Sequence, residues 1–477
     1  MTIEARCQKR PDKAYKKLSD FSRKYSEKYQ SIKFNFRKFV TSNLNIKRSD
    51  VFTHNIHSYP GRLFPYIPIF FLSSEKYCPP KGKVLDPFSG SGTVLLESIV
   101  NPYFKRDVYG VEINPIGRLI SKVKTTPIEP TELERKIGEL LKAIKEAKQS
   151  RDIALSIPAF QNIDLWFSKS AKKGLGLIKA CIEQLEDDDC KDFIWVCFSK
   201  LIRSVSRADP NIPPPVLLKV EKYKQSYRYE KLKALQKRNE KPNVEDIFKG
   251  IVNENAERVK RLWEIVELRE GRVTSKIIWD DSRKVKKGKY TVKGVVDKRH
   301  TQRLNKSISL IITSPPYLSA QKYVRSTKLE LYWLGLATQT ELEDLRKGTI
   351  GTENISLKND RQEIGVPTID CLLEKIEKSS KERMLIAYEY FKSMAEVFIQ
   401  CHKLLKDKGL MVLVVGNNKI GKLNINTAQL LIDLSKKSKF NVVFVLRDEI
   451  KDRGMITKRH GSGGLIKDEF VIVLQKI

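Results

Sequence analysis

Unbroken apolar runs that stop on glycine or a polar residue punctuate this chain, and each reads as a buried strand. Val84-Leu85 opens one, after the breaker run Pro79-Pro80-Lys81-Gly82. Others are Asp107-Val-Tyr-Gly-Val111, Ser275-Lys-Ile-Ile-Trp279, Ser307-Ile-Ser-Leu-Ile-Ile-Thr313 and Gly409-Leu-Met-Val-Leu-Val-Val-Gly416. Residues 441–446 and 469–474 read as two late strands that make an antiparallel edge. Helical spacing fills the gaps: 93–100 with Glu97 on its polar side, 113–124 behind Pro115, 329–336, 383–405 and 428–436. Such alternation predicts an α/β fold, a mixed sheet with helices on both faces. From about 131 to 274 the strand signal vanishes and helical spacing takes over, as in 132–147 and 175–185. That stretch reads as a mostly helical insertion. Residues 1–52 read as a basic helical extension whose rings, among them Tyr15, Phe21, Phe36 and Phe39, pack on the core. The resulting division is 1–52, then 53–130 and 275–477 as two halves of one sheet domain, with 131–274 inserted between them.

The first stretch with chemistry is Val84-Leu-Asp-Pro-Phe-Ser-Gly-Ser-Gly-Thr93. Strand, glycine turn and helix follow in the order of a mononucleotide-binding unit. Gly90 and Gly92 let the backbone turn tightly against a ligand. No Lys follows Gly92, and Leu95 stands where a dinucleotide fingerprint needs Gly or Ala, so neither phosphate motif is present. Asp86 repels phosphate and suits an ammonium or sulfonium group. Glu112 ends the next strand twenty residues past Gly92, the spacing at which a carboxylate takes ribose hydroxyls. A cationic tail with an unphosphorylated ribose describes S-adenosylmethionine; the same pattern also serves other α/β enzymes with a glycine turn. The Pro-rich segment 57–68 runs toward this strand, where Tyr59 or Phe64 covers the adenine or methionine part, or the loop simply caps the sheet. Asp280, Asp281 and Ser282 end the strand at 275–279 and offer an acceptor for an adenine amino group.

Charge changes the picture next. The chain carries 90 Lys+Arg against 57 Asp+Glu over 477 residues, a net charge of +33, which points to a polyanionic partner, nucleic acid before membrane. Residues 219–241 concentrate it: Lys222, Lys224 and Arg228 stand among Tyr223, Tyr227 and Tyr229, a composition that suits a DNA-facing surface or a solvated charged helix. Seven scattered Cys without a Cys-x-x-Cys pair, and five unclustered His, support no metal site and no disulfide framework. Reduced thiols, a charged N-terminus and no apolar run long enough for a membrane predict a cytoplasmic protein without a membrane span.

The second stretch is Thr313-Ser-Pro-Pro-Tyr317, directly after an apolar strand. An exocyclic amine on a base is a poor nucleophile because its lone pair is delocalised into the ring. Hydrogen bonds accepted from its N–H groups by the Ser314 hydroxyl and the carbonyl before Pro315 localise that pair. Pro315 and Pro316 fix the turn and remove competing donors. Tyr317 offers a face on which a base swung out of the duplex stacks, a contact of roughly 1–3 kcal/mol against a flipping cost of a few. No Pro-Cys dipeptide supplies a nucleophile for attack at ring carbon.

With both stretches in hand, the chain resembles the amino-methyltransferases of DNA, and within them the cytosine-N4 type. Asp86-Pro-Phe-Ser-Gly-Ser-Gly-Thr93 resembles that family's cofactor motif, and Ser314-Pro-Pro-Tyr317 its catalytic motif. The resemblance runs from about residue 53 to the C-terminus, least in the helical insertion. It implies a Rossmann-like class I methyltransferase sheet and S-adenosylmethionine held by Asp86, Pro87, Phe88, Gly90, Gly92, Thr93, Glu112, Asp281 and Tyr59. Ser314, Pro315, Pro316 and Tyr317 would hold the base. Arg325, in the family-like run 323–335, and Arg346 and Lys347, in a polar loop over 346–353, would touch double-stranded DNA. It further implies a separate cognate restriction endonuclease, with no metal. Adenine-N6 methylation of DNA, guanine-N2 methylation of RNA and a non-enzymatic DNA-binding role are the rival readings. In many N4 enzymes the catalytic motif precedes the cofactor motif; here the order is reversed.

Overall fold

The apolar runs become strands because helices cover both their faces. The computed structural model describes residues 11–16, 18, 20–47, 51–150, 154–284, 304–318, 323–355, 362–449 and 468–477. Among them the strands are β1 (Ile32–Lys33), β2 (Lys83–Asp86), β3 (Val108–Val111), β4 (Ser275–Trp279), β5 (Ile308–Thr313), β6 (Leu405–Gly416), β7 (Asn418–Ile420), β8 (Leu423–Ile425), β9 (Phe440–Glu449) and β10 (Asp468–Lys476). Eight of these form one sheet in the order β1-β9-β10-β6-β5-β2-β3-β4, and β7 and β8 form a separate hairpin. Only β10 runs against its neighbours β6 and β9; the other pairings in that sheet are parallel. The fold is thus a mixed α/β sheet with the late antiparallel strand expected from the sequence.

The chain goes from β2 to β3 and β4 on one side, then returns to place β5 on the other side of β2. The crevice at the carboxyl ends of β2 and β5 is therefore a topological switch point, where open α/β sheets bind ligands. Register makes the placement close: Leu85 pairs with Ile311 across β2 and β5, and Asp86 with Gly110 across β2 and β3.

Three expectations are corrected here. Residues 1–52 are not only helical, because β1 joins the sheet edge beside β9, with Ile32 opposite Leu446. The aromatic cluster around it does pack on the core: Phe36 and Phe70 meet edge to face at 5.3 Å. Glu97 is not on a polar face; it is 5% exposed and its Oε1 lies 2.6 Å from His54 Nε2. Burial pushes Glu97 up to about 8, against the nearby Lys124, and pushes His54 well below its usual value, so the charged form of each is disfavoured. Finally, Arg346 and Lys347 lie in the last turn of the helix Gln339–Gly348, not in a loop; a capping box of Thr338 and Glu341 starts that helix.

The insertion contributes the helices Pro130–Gln149, Lys169–Glu183, Asp189–Val205, Tyr229–Glu240 and Val244–Trp263. Its apolar core is continuous with Ile56, Ile116 and Ile120 and with Leu329 and Trp333, which follow β5 in the chain. Trp333 meets Phe167 edge to face at 5.5 Å. The insertion is thereby packed onto the segment that follows the Ser-Pro-Pro-Tyr turn.

Arg106, 1% exposed, clasps the entry to β2 and β3. Its guanidinium donates to the carbonyls of Leu72 (2.6 Å), Cys78 (2.7 Å), Pro79 (2.9 Å) and Phe104 (3.0 Å). A buried cation is tolerated here because four carbonyl dipoles replace its water. Arg106→Met should strand those carbonyls and lower the unfolding free energy by about 3–5 kcal/mol, read as a drop in the urea midpoint.

Candidate active site

Where β2 ends, Asp86 Oδ1 accepts from the Phe88 N–H at 3.0 Å and from the Thr313 hydroxyl at 2.6 Å. Thr313 is the last residue of β5, so the hydrogen bond joins the glycine turn directly to the Ser-Pro-Pro-Tyr turn. Gly90 and Gly92 have φ of +52° and +76°, the left-handed region where a side chain is strained. A Cβ at Gly92 would also meet Ser121 at 3.0 Å. The helix Thr93–Val100 starts there, aiming its first N–H groups back at the turn.

Glu112 follows β3. One carboxylate oxygen accepts from the Gly90 N–H at 2.7 Å and the other from the Asn114 N–H at 2.8 Å. Burial raises its pKa, opposed by those two backbone donors. Each oxygen keeps a second lone pair for a hydroxyl. Asn114, which the sequence reading passed over, is the hub beside it: its amide donates to Tyr59 Oη at 3.2 Å and Thr327 Oγ1 at 3.0 Å.

These pieces line one narrow cleft of about 80 Å³, which Pro87, Phe88, Gly90, Glu112, Ser314 and Pro316 share with Tyr59, Asp280 and Asp281. Among the described residues no Lys, Arg or His lines it. An acidic cleft without a cation repels phosphate and suits a positively charged ligand bearing hydroxyls. Tyr59–Gly61 and the stretch 348–350 also line it. Ser282 also anchors the floor by donating to the Pro87 carbonyl.

Not every expected residue arrives. Asp86, Gly92, Thr93, Pro315 and Tyr317 are not on the wall of this cleft, and Thr93 and Phe64 line a second one. Asp281 is on the wall, but its carboxylate is occupied by Arg283 at 2.9 and 3.0 Å, and Arg283 in turn donates to the Gly348 carbonyl at 2.8 Å. Asn418 Nδ2 donates to the Leu318 carbonyl at 2.8 Å and fixes the exit of the Ser-Pro-Pro-Tyr turn. Gly351, at φ +77°, seats the neighbouring loop against that turn; a Cβ there would meet the Tyr317 carbonyl at 3.0 Å.

A second cleft, about 1020 Å³, lies between the sheet and the insertion and shares the wall Tyr59–Gly61 with the first. Arg37, Arg62, Lys200, Arg203 and Arg238 line it, with Phe64 at its side. Of the basic stretch 219–241, Arg238 reaches this cleft while Lys222, Lys224 and Arg228 do not. Arg228 instead bonds Asn211 at 2.8 Å, and Lys224 pairs with Glu221 at 2.7 Å. Arg325 and Arg346 border a small separate hollow, and Arg346 is paired with Glu343 at 2.5 Å. Lys347 lies 3.9 Å from Asp344. No helix among the described residues is long and apolar enough to cross a membrane, and none of their acidic, Cys or His side chains cluster as a metal site.

Comparison with known proteins now bears on this geometry. The chain is 26% identical over 430 residues to the Type II methyltransferase M.MvaI of Kocuria varians, across 85% of this chain and 86% of that protein. Over most of both chains, this protein is similar to a Type II methyltransferase. A shorter match, 28% identical over 153 residues, joins 28% of it to 31% of the Type II methyltransferase M.AvaI of Nostoc sp. (strain PCC 7120 / SAG 25.82 / UTEX 2576). No family model matches. Among solved structures, TTHA0409 of Thermus thermophilus, assigned as a DNA modification methylase, matches 41% of this chain and 50% of its own at 15% identity and a TM-score of 0.19. The form complexed with S-adenosyl-L-methionine matches 37% of this chain and 52% of its own, also at 15% identity and a TM-score of 0.19.

Asp86 yields a measurable signature. Burial raises its pKa to about 7, against opposing hydrogen bonds from Thr313 and Phe88. Since the folded value lies above the unfolded one of about 3.9, the folded protein holds the extra proton and loses stability as pH rises from about 4 to about 7. Asp86→Asn keeps both acceptor contacts and removes the charge. It should be more stable than the parent at pH 8, by at most about 4 kcal/mol, with no difference at pH 4, in urea unfolding at the two pH values.

Proposed function

We propose that this protein methylates the exocyclic N4 amine of a flipped cytosine in double-stranded DNA, using S-adenosylmethionine, as the modification half of a restriction-modification system. The observation that carries the reading is the joining of two turns by the Thr313–Asp86 hydrogen bond, so that Ser314 and Glu112 line one acidic cleft. The residues fit the cofactor: Glu112 has a free lone pair on each oxygen for ribose hydroxyls, and the cleft offers acids to its cationic end. Bound there, S-adenosylmethionine supplies a methyl group on an electron-poor sulfonium.

The rest is the work of this chain. Pro87, Phe88, Gly90 and Gly92 shape the turn around the cofactor, Thr93 begins the helix behind it, and Tyr59 walls it, held by Asn114. Asp86 acts from behind, tying that turn to β5. The Ser314 hydroxyl and carbonyl accept from the amine, Pro315 and Pro316 keep the carbonyl in place, and Tyr317 presents its ring to the base. The second cleft seats the duplex, with Arg37, Arg62, Lys200 and Arg238 toward its phosphates. Lys222, Lys224, Arg228, Arg325, Arg346 and Lys347 are outlying contacts. M.MvaI, similar over most of both chains, supports methylation of DNA by its name as a Type II methyltransferase. Ser at position 314 supports cytosine over adenine.

Ser314→Ala should reduce methyl transfer to DNA by about 10²–10⁴-fold while cofactor affinity stays within twofold of the parent. Mass spectrometry of nucleosides from treated DNA should show N4-methylcytosine. N6-methyladenine instead would replace the base assignment, and label transferred to tRNA but not DNA would replace the substrate.

A further inference from the structure

Two segments border both clefts. Tyr59–Gly61 lines the narrow one and the wide one alike. The stretch 323–327 does so in pieces, with Tyr323 and Val324 on the narrow cleft and Ser326 and Thr327 on the wide one. One side chain holds the two segments together. Asn114, 1% exposed, donates from Nδ2 to Tyr59 Oη at 3.2 Å and to Thr327 Oγ1 at 3.0 Å. An amide nitrogen has two hydrogens, and these two acceptors take both. The Thr327 hydroxyl in turn donates to the Val324 carbonyl at 3.3 Å, which carries the hold from the wide cleft to the narrow one.

The remaining atoms of Asn114 are committed as well. Its Oδ1 accepts from the Ile116 N–H at 3.3 Å and caps the helix Pro115–Thr125, which fixes the orientation of the amide. Its backbone N–H donates to Glu112 at 2.8 Å. Both segments are thereby set with respect to the carboxylate assigned to the cofactor's ribose. Tyr59 and Thr327 are buried, so water does not make good a lost bond at either.

We propose that Asn114 is a positioning residue that clasps the two sides of a passage between the clefts, Tyr59 on one side and Thr327 on the other, and so sets how a base drawn from the duplex is received beside Ser314. The inference rests on the methyl-transfer reading above. Asn114 acts through Tyr59 and Thr327 rather than on the reacting atoms. A passage ordered in advance favours the flipped state, because the arriving base does not have to order it. A misplacement of about 1 Å at such a position costs about a hundredfold in rate. The loss falls hardest on a target that must first be unpaired, since flipping a paired base already costs a few kcal/mol.

Single-turnover methylation of a duplex carrying a site that the parent methylates tests the clasp. Asn114→Ser keeps a helix cap and the backbone bond to Glu112 but loses both donations. It should be about 10- to 100-fold slower than the parent. Thr327→Val should be slowed too, whereas Thr327→Ser, which keeps the hydroxyl, should stay within about threefold of the parent. With the target base placed opposite an abasic position, no pair has to be broken, and Asn114→Ser and Thr327→Val should both recover to within about threefold. Calorimetry should show affinity for S-adenosylhomocysteine within about threefold of the parent in each variant. Should Asn114→Ser fail to fold, Thr327→Val on the two duplexes decides alone. An equal loss on both duplexes, a cofactor affinity that falls with the rate, or a Thr327→Val protein at the parent rate would overturn the clasp while leaving the methyltransferase standing. A parent enzyme that methylates no DNA would overturn both.

Discussion

Everything at the site depends on β2 and β5 being parallel neighbours. Because Leu85 lies opposite Ile311, the two strands end at one level and release their turns on one rim. The Thr313 hydroxyl then spans to Asp86, and burial makes that contact strong but keeps the carboxyl's charge unfavourable. A slip of one residue would send Thr313 to the opposite face and separate the turns. The sheet's order supplies the same constraint at larger scale, since the reversal of direction beside β2 leaves a crevice that helices cannot fill.

The fold was legible wherever the reason for a strand was local. β5 and the later part of β6 are covered on both faces, so their apolar residues run unbroken and the strands announce themselves. β1 has two residues and no pattern of its own; it exists because β9 offers an unpaired edge. The two turns of the site were legible too, since each is a contiguous stretch whose glycines and prolines have one geometric purpose. What escaped reading was made by distance along the chain. Glu97 sits among apolar residues at a spacing that permits either face, and only His54 explains why it points inward. Asn114 caps the helix that follows it, and its amide also reaches Tyr59 and Thr327, residues far away in the chain. Arg62 and Lys200 are separated widely in sequence, and the fold alone brings them to one cleft.

Charge is divided rather than spread. The chain as a whole is strongly positive, yet the narrow cleft has acids and no cation on its wall among the described residues, while the wide one sets Arg37, Arg62, Lys200, Arg203 and Arg238 beside Glu330, Asp448, Glu449 and Glu469. The overall positive charge favours a polyanion near the molecule, while the acids of the narrow cleft disfavour phosphate there. The shared wall Tyr59–Gly61 keeps the two environments a few atoms apart.

The helical insertion leaves the sheet after β3 and returns as β4, and those strands are adjacent, with Gly110 opposite Ile277. Its point of departure and its point of return are therefore side by side. A unit attached in this way is a cassette: its length and surface are free to change without moving the strands on either side of it. On the proposed reading, exchanging the cassette changes what the protein contacts, while the reaction stays in the frame.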